Sequence, residues 1–198
     1  GDIILSAAVL SNLVALYTLA FARGKSYSWQ FFFYFLISLA FINGAVLADN
    51  LLVLLIFWEG LLLTLFAMIN LGNKGAFVTA TKALVIVGVC DLCMMLGIIL
   101  TGKLAGTLVI SHIGLPLDKF GSLAFILLMI GAISKAGSMP FHSWIPDAAS
   151  DAPLPFMAFF PGAMEKLLGI YFLARISLDI YQLQAGTWMS TLLMSIGA

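Results

Sequence analysis

Apolar stretches long enough to cross a bilayer follow one another along almost the whole chain, separated by short polar breaks. A bilayer core of about 30 Å is crossed by ~20 helical residues. That length divides the sequence into spans at 2–21, 29–48, 51–71, 77–101, 120–145, 155–178 and a last one from 184 to 198. Most breaks are tight: Arg23-Gly24-Lys25 to Ser28, Ala48-Asp49-Asn50, and the Gly/Asn-containing 72–76. Two are longer, 102–119 with Lys103, His112, Pro116, Asp118 and Lys119, and the Pro-rich 146–155. Nothing marks a domain boundary, so the predicted fold is all-α: one polytopic transmembrane helix bundle over 1–198. The chain enters an apolar run after Gly1 with no signal-peptide features and is still apolar at Ala198, which reads as a piece of something longer.

Composition agrees with lipid as the solvent. Hydrophobic residues make up 63% and charged residues 9% of the 198, where a soluble domain has about 25% charged, and mean hydropathy is +1.13. Nine Lys+Arg balance nine Asp+Glu, which argues against a nucleic-acid partner. If every span crosses, Arg23, Lys25 and Lys74 lie on one side and Lys103, Lys119 and Arg175 on the other. That even split gives no orientation.

The few charges within the spans carry the functional argument, since an ionisable group at a helix centre costs about 2.5–3.5 kcal/mol on insertion scales. Glu59 is flanked by Leu51–Trp58 and by an uncharged run reaching to Lys74, too deep to reach water. Asp91 lies near the middle of 77–101, and Lys82 nearer its start, from where it can snorkel. Nine residues at about 100° each put these two on opposite faces, so each needs a partner on another helix. Lys135 lies midway along 120–145, and Glu165 and Lys166 midway along 155–178. The expected result is an internal row of Glu59, Asp91, Lys135 and Lys166, with Glu165 beside it. Such a row serves either as ion pairs that hold helix register or as a proton relay, to which Lys82 and His142 are assigned as well. A lysine suits a relay because burial lowers its proton affinity and a nearby carboxylate raises it again.

Prolines break two of these spans. Pro140 is predicted to open the helix and free the carbonyl of Ala136, and Pro161 does the same to Met157 just before Glu165. Non-helical backbone at membrane depth is tolerated only inside protein or beside water, and polar groups at such breaks are a transporter feature. With a modest kink, Lys135, Ser138 and His142 would line one face. Elsewhere the plain reading holds: His112 is a solvated loop residue, and His142 lacks a second histidine on a facing helix for haem ligation. Cys90 and Cys93 read as two buried thiols, and the Phe31–Phe35 cluster as lipid-facing or packed helix surface.

Four segments carry a resemblance: ADNLLVLLIFWEG (48–60), TKALVIVGVCD (81–91), SKAGSMPFHSWIPDAASDAPLP (134–155) and GIYFLARI (169–176). They resemble the antiporter-like membrane subunits shared by respiratory complex I, the Mrp-type Na+/H+ antiporters and the energy-converting membrane-bound NiFe hydrogenases. The resemblance implies an inverted-repeat fold with broken helices, of which this chain would supply the first repeat and the helices before it. It also implies that Glu59 and Lys135 form the proton-handling pair. Two positions depart from many complex I members: Gly88 stands where they carry arginine, and the histidine they carry on the helix after the broken one, aligning near Pro161, is absent here. The Glu165-Lys166 version looks more like the hydrogenase branch, in which a lysine is the next relay group.

The resemblance thus implies a multi-pass subunit of a prokaryotic plasma membrane that moves protons, or Na+, within a redox-driven complex of membrane and peripheral subunits. The chain would be an enzyme only as part of that translocase. No cofactor is expected in this chain, and Fe–S, NiFe or flavin centres would belong to partner subunits. The alternative is an Mrp-type antiporter subunit without a redox partner.

Overall fold

In lipid, a backbone satisfies its polar groups within its own segment, so the apolar runs fold as helices. The computed structural model describes residues 2–21, 24–26 and 28–197; Arg23, counted above among the loop charges, lies outside them. Helix α1 spans Asp2–Phe21, α2 Ser28–Leu47, α3 Leu51–Ile69 and α4 Ala76–Ala105. A 3-10 turn at Ile110–His112 leads to α5 Lys119–Lys135, α6 Ile145–Asp151, α7 Leu154–Phe159, α8 Glu165–Arg175 and α9 Trp188–Gly197. Two π-helical turns, Phe160–Met164 and Ile176–Ile180, join α7 to α8 and extend α8, so Leu154–Ile180 forms one apolar rod. Five described helices are long and apolar enough to cross a membrane: α1, α2, α3, α4 and this rod. No strand occurs among the described residues, only an isolated antiparallel bridge between Asn50 and Val109.

Local chemistry sets the helix ends. The Asn50 side chain caps α3 by accepting from Leu52 N–H at 2.9 Å, and the Asp118 carboxylate caps α5 by accepting from Gly121 N–H at 2.7 Å. Helix α4 runs on past the expected residue 101 to Ala105, where Gly106 takes φ 70° and ends it.

The main departure from the sequence reading is at 120–145, expected as one helix broken at Pro140. Helix α5 already stops at Lys135. Gly137 adopts φ +69°, and the N–H groups of Gly137 and Ser138 turn back to the carbonyls of Ser134 and Ile133. This is a Schellman termination, which a glycine permits without strain. Pro140 is exposed within the irregular stretch 136–144 and follows the break instead of causing it. Lys135 therefore occupies the carbonyl end of a helix, where the helix dipole favours a cation. Pro161 does fall at an irregularity, since it lies inside the π-helical turn before α8.

Helix α5 is sandwiched between α4 and α8 at close range. A Cβ at Gly169 of α8 would stand 2.6 Å from both the Ala132 carbonyl oxygen and the Ala136 nitrogen. Small residues are what lets transmembrane helices approach so closely. Gly169→Ala is expected to lower stability by about 1–3 kcal/mol through overpacking, read as earlier thermal loss of helicity in detergent. In the core Trp58, Phe125, Phe156, Phe160 and Phe172 are fully buried. Of the phenylalanine cluster, Phe31 and Phe35 are buried and Phe33 is exposed. Cys90 is buried, whereas Cys93, expected buried, is only partly so.

A polar clasp closes one end of the bundle. Asp49, in the α2–α3 turn, accepts from the Ser111 hydroxyl at 2.5 Å and lies 3.2 Å from Arg175 at the end of α8. The Ser111 hydroxyl bond, aided by Arg175, holds this carboxyl below the usual aspartate range.

Candidate functional site

Three buried charges meet at the middle of the bundle. Asp91 lies halfway along α4 and is 1% exposed. Its Oδ1 accepts a hydrogen bond from Trp58 Nε1 of α3 at 2.8 Å, and its Oδ2 lies 3.6 Å from Lys135 Nζ at the end of α5. Lys135 is 1% exposed, and its ammonium also lies 5.1 Å from the Trp58 ring centroid. Glu165, the first residue of α8, is 3% exposed and within Coulombic reach of both Lys135 and Asp91. Asp91 Oδ2, Lys135 Nζ, Ser134 Oγ and Glu165 Oε1 are buried with no hydrogen-bond partner in the protein. At 3.6 Å the Lys135–Asp91 contact is an ion pair beyond hydrogen-bond length. Buried polar groups in this condition are normally bridged by internal water.

Glu59 follows Trp58 on α3 and is partly buried, with Asp91 and Lys135 in Coulombic reach. The carboxylate in direct contact with Lys135 is nonetheless Asp91, where the resemblance implied Glu59.

Three expected members of the relay, Lys166, Lys82 and His142, lie elsewhere. Lys166 is exposed on an outward stripe with Gly162, Ile170, Ala174 and Leu178. Adjacent helical residues point about 100° apart, so with Glu165 facing Lys135 its neighbour cannot. Lys82 does not join the central group; it pairs with Asp147 of α6 at 2.7 Å, with the two side chains 40% and 47% exposed. His142 and Ser138 do not share a helical stripe with Lys135, because the helix has ended before them. His142 is partly buried, and its Nδ1 has no partner in the protein.

The sequence reading missed Trp58, which anchors Asp91, and Asp147, which answers Lys82. The signal for Trp58 was its place directly before Glu59. Asp147 had one too, as the only acid in the Trp-Ile-Pro-Asp turn after the break. A cavity of about 250 Å³ opens between α5, α8 and α9 against Ala132, Ala136 and Ser138, next to the end of α5. Among the described residues no three His, Cys, Asp or Glu side chains converge as metal ligands do.

Comparison with known proteins places this arrangement in context. Residues 48–198 match the family described as NADH:quinone oxidoreductase/Mrp antiporter, transmembrane. The chain is 32% identical over 189 residues to Na(+)/H(+) antiporter subunit A1 of Staphylococcus epidermidis, covering 91% of this chain and 23% of that protein. It is 30% identical over 190 residues to the Staphylococcus aureus subunit, covering 92% and 24%. The chain thus spans about a quarter of the length of these curated relatives. Among solved structures, it resembles a chain of respiratory complex I from Thermus thermophilus at TM-score 0.77, with 24% identity over 88% of this chain and 40% of that one. It resembles a chain of the Mrp complex from Dietzia sp. at TM-score 0.73, with 28% identity over 83% and 18%. A chain of an archaeal membrane-bound sulfane sulfur reductase aligns at TM-score 0.81, with 22% identity over 97% and 40%.

Proposed function

Because the chain belongs to the NADH:quinone oxidoreductase/Mrp antiporter transmembrane family, we propose that it forms part of a proton-translocating subunit in which Lys135 holds and releases the proton. It is an antiporter-like, multi-pass chain of a prokaryotic plasma membrane, built as an all-α bundle with broken helices. The observation that carries the proposal is the Lys135 ammonium buried 3.6 Å from Asp91, with Glu165 and Glu59 in Coulombic reach of it. One ammonium among three carboxylates leaves an excess of negative charge in a low-dielectric interior. A bound proton or cation offsets that excess, and moving it changes which groups are paired. In this reading Asp91 fixes Lys135, and the charges of Glu59 on α3 and Glu165 on α8 bias it, beside the helix end that Gly137 sets.

The partner assignment is a redox-driven complex with electron transfer in other subunits, where any Fe–S, NiFe or flavin centre resides. PGAMEKLLGIYF (161–172) supports this, since it resembles the large membrane subunit of the hydrogenase branch. Lys166 is exposed at mid-span, where a charge facing lipid is costly; further protein helices covering this face would relieve that cost. A second reading, an Mrp-type Na+/H+ antiporter, is favoured by identity of 30–32% to subunit A1 over nine-tenths of the chain. A tagged full-length protein, purified in mild detergent and analysed by mass spectrometry, separates the two. Co-purifying hydrogenase or dehydrogenase subunits are expected, and antiporter subunits alone would favour the second reading.

A further inference from the structure

Helix α4 makes two ion pairs with the broken segment, and they have opposite polarity. At its centre Asp91 meets Lys135 at the end of α5, and nearer its start Lys82 meets Asp147 in the first turn of α6. About one turn from Lys82, the Thr79 hydroxyl donates to Asp151 Oδ2 at 2.6 Å, and Asn73 N–H reaches the Asp151 carbonyl at 2.9 Å. Thr79 and Lys82 are neighbours on one helical face, as are Asp147 and Asp151, so α6 grips α4 at two successive points. The approach is close: a Cβ at Gly72 would collide with the Asp151 carbonyl oxygen.

Lys82 makes one more bond, donating from Nζ to the Ser143 carbonyl at 2.9 Å. Ser143 lies in the irregular stretch 136–144, and a carbonyl outside regular helix needs protein or water as its partner. The stretch is therefore tied at both ends to the same helix, at Lys135 through Asp91 and at Ser143 and Asp147 through Lys82. Helix α4 acts as a ruler, with the two ties about 13 Å apart along its axis at 1.5 Å per residue.

We infer that Lys82, Asp147, Thr79 and Asp151 form a positioning clasp that holds α6 on α4 in the register keeping Lys135 beside Asp91, and that Lys82 itself carries no proton. The inference rests on the reading of Lys135 given above. It departs from the expectation that Lys82 belongs to the relay. Because the Lys82–Asp147 pair is exposed, it adds little to folding stability; its effect lies in where Lys135 sits.

Arginine separates the two roles, since it keeps the charge and the donors but does not give up a proton. In the complete complex, K82M, K82R and D147N are compared for proton translocation in proteoliposomes and for hydrogen–deuterium exchange over residues 136–151. K82M and D147N are expected to raise exchange there and to cut translocation about 10- to 100-fold, the cost of a misplacement of ~1 Å. K82R is expected to keep both near wild-type values. Unchanged exchange in K82M would overturn the clasp. Lost translocation in K82R with exchange still protected would overturn it too, by making Lys82 a proton carrier. A wild-type complex without proton flux would remove the functional reading of Lys135, while the exchange comparison would still decide whether the clasp exists.

Discussion

Lys135→Ala is expected to abolish proton translocation and to cost the bundle about 3–5 kcal/mol, the range for removing one partner of a buried ion pair. The loss has two parts. Lys135 is among the largest fully buried side chains, so truncation leaves a cavity at the end of α5. It also strips the nearby cation from Asp91 and Glu165, whose charged forms are then costly to keep buried. Lys135→Met restores most of the volume and none of the charge, so it should recover part of the stability and none of the translocation. Thermal unfolding in detergent, followed by circular dichroism beside the flux assay, separates the two effects.

Asp91→Ala is expected to be nearly as damaging, and for a complementary reason. The Asp91 carboxylate holds two buried groups from two helices, accepting a hydrogen bond from Trp58 Nε1 and forming an ion pair with the Lys135 ammonium. Removing it leaves both unpaired between α3 and α5, again at a cost of about 3–5 kcal/mol. Asp91→Asn is the informative comparison. Its amide oxygen can still accept from Trp58, so the fold should lose less than in Asp91→Ala, while the charge beside Lys135 is gone. Translocation in Asp91→Asn is expected to fall about 10-fold or more, as for a misplaced reacting group, and unimpaired flux would show that Asp91 is structural only.

Much of the architecture was legible because lipid imposes one rule on every span: a long apolar run must become a helix. The buried acids and Lys135 were legible for the same reason, as charges too deep to reach water. What failed was whatever depended on rotation or on contacts between distant helices. Lys166 was placed in the row because it stands at the right depth, but depth says nothing of facing, and Glu165 already occupies the inward direction. The Lys135–Asp91 pair joins residues far apart in sequence, and nothing in the spacing favoured Asp91 over Glu59 as the nearer carboxylate. The helix end at Lys135 was hidden by a stronger signal close by. Pro140 announces a break, whereas Gly137 ends the helix earlier by adopting a positive φ that any apolar run with a glycine could have left unused. Lys82 was expected to snorkel or to find a partner on another helix, and it does both, with Asp147 on a short helix the sequence reading had merged into a loop.

The central claim, that Lys135 releases and rebinds a proton, is tested most directly by proton flux through proteoliposomes holding the complete complex with Lys135→Arg. Arginine preserves the positive charge beside Asp91, so the protein should assemble, but it does not deprotonate in the working range. The account predicts an assembled complex with no proton translocation. Translocation at the wild-type rate by Lys135→Arg would contradict it and leave the buried charges as a device for holding helices together.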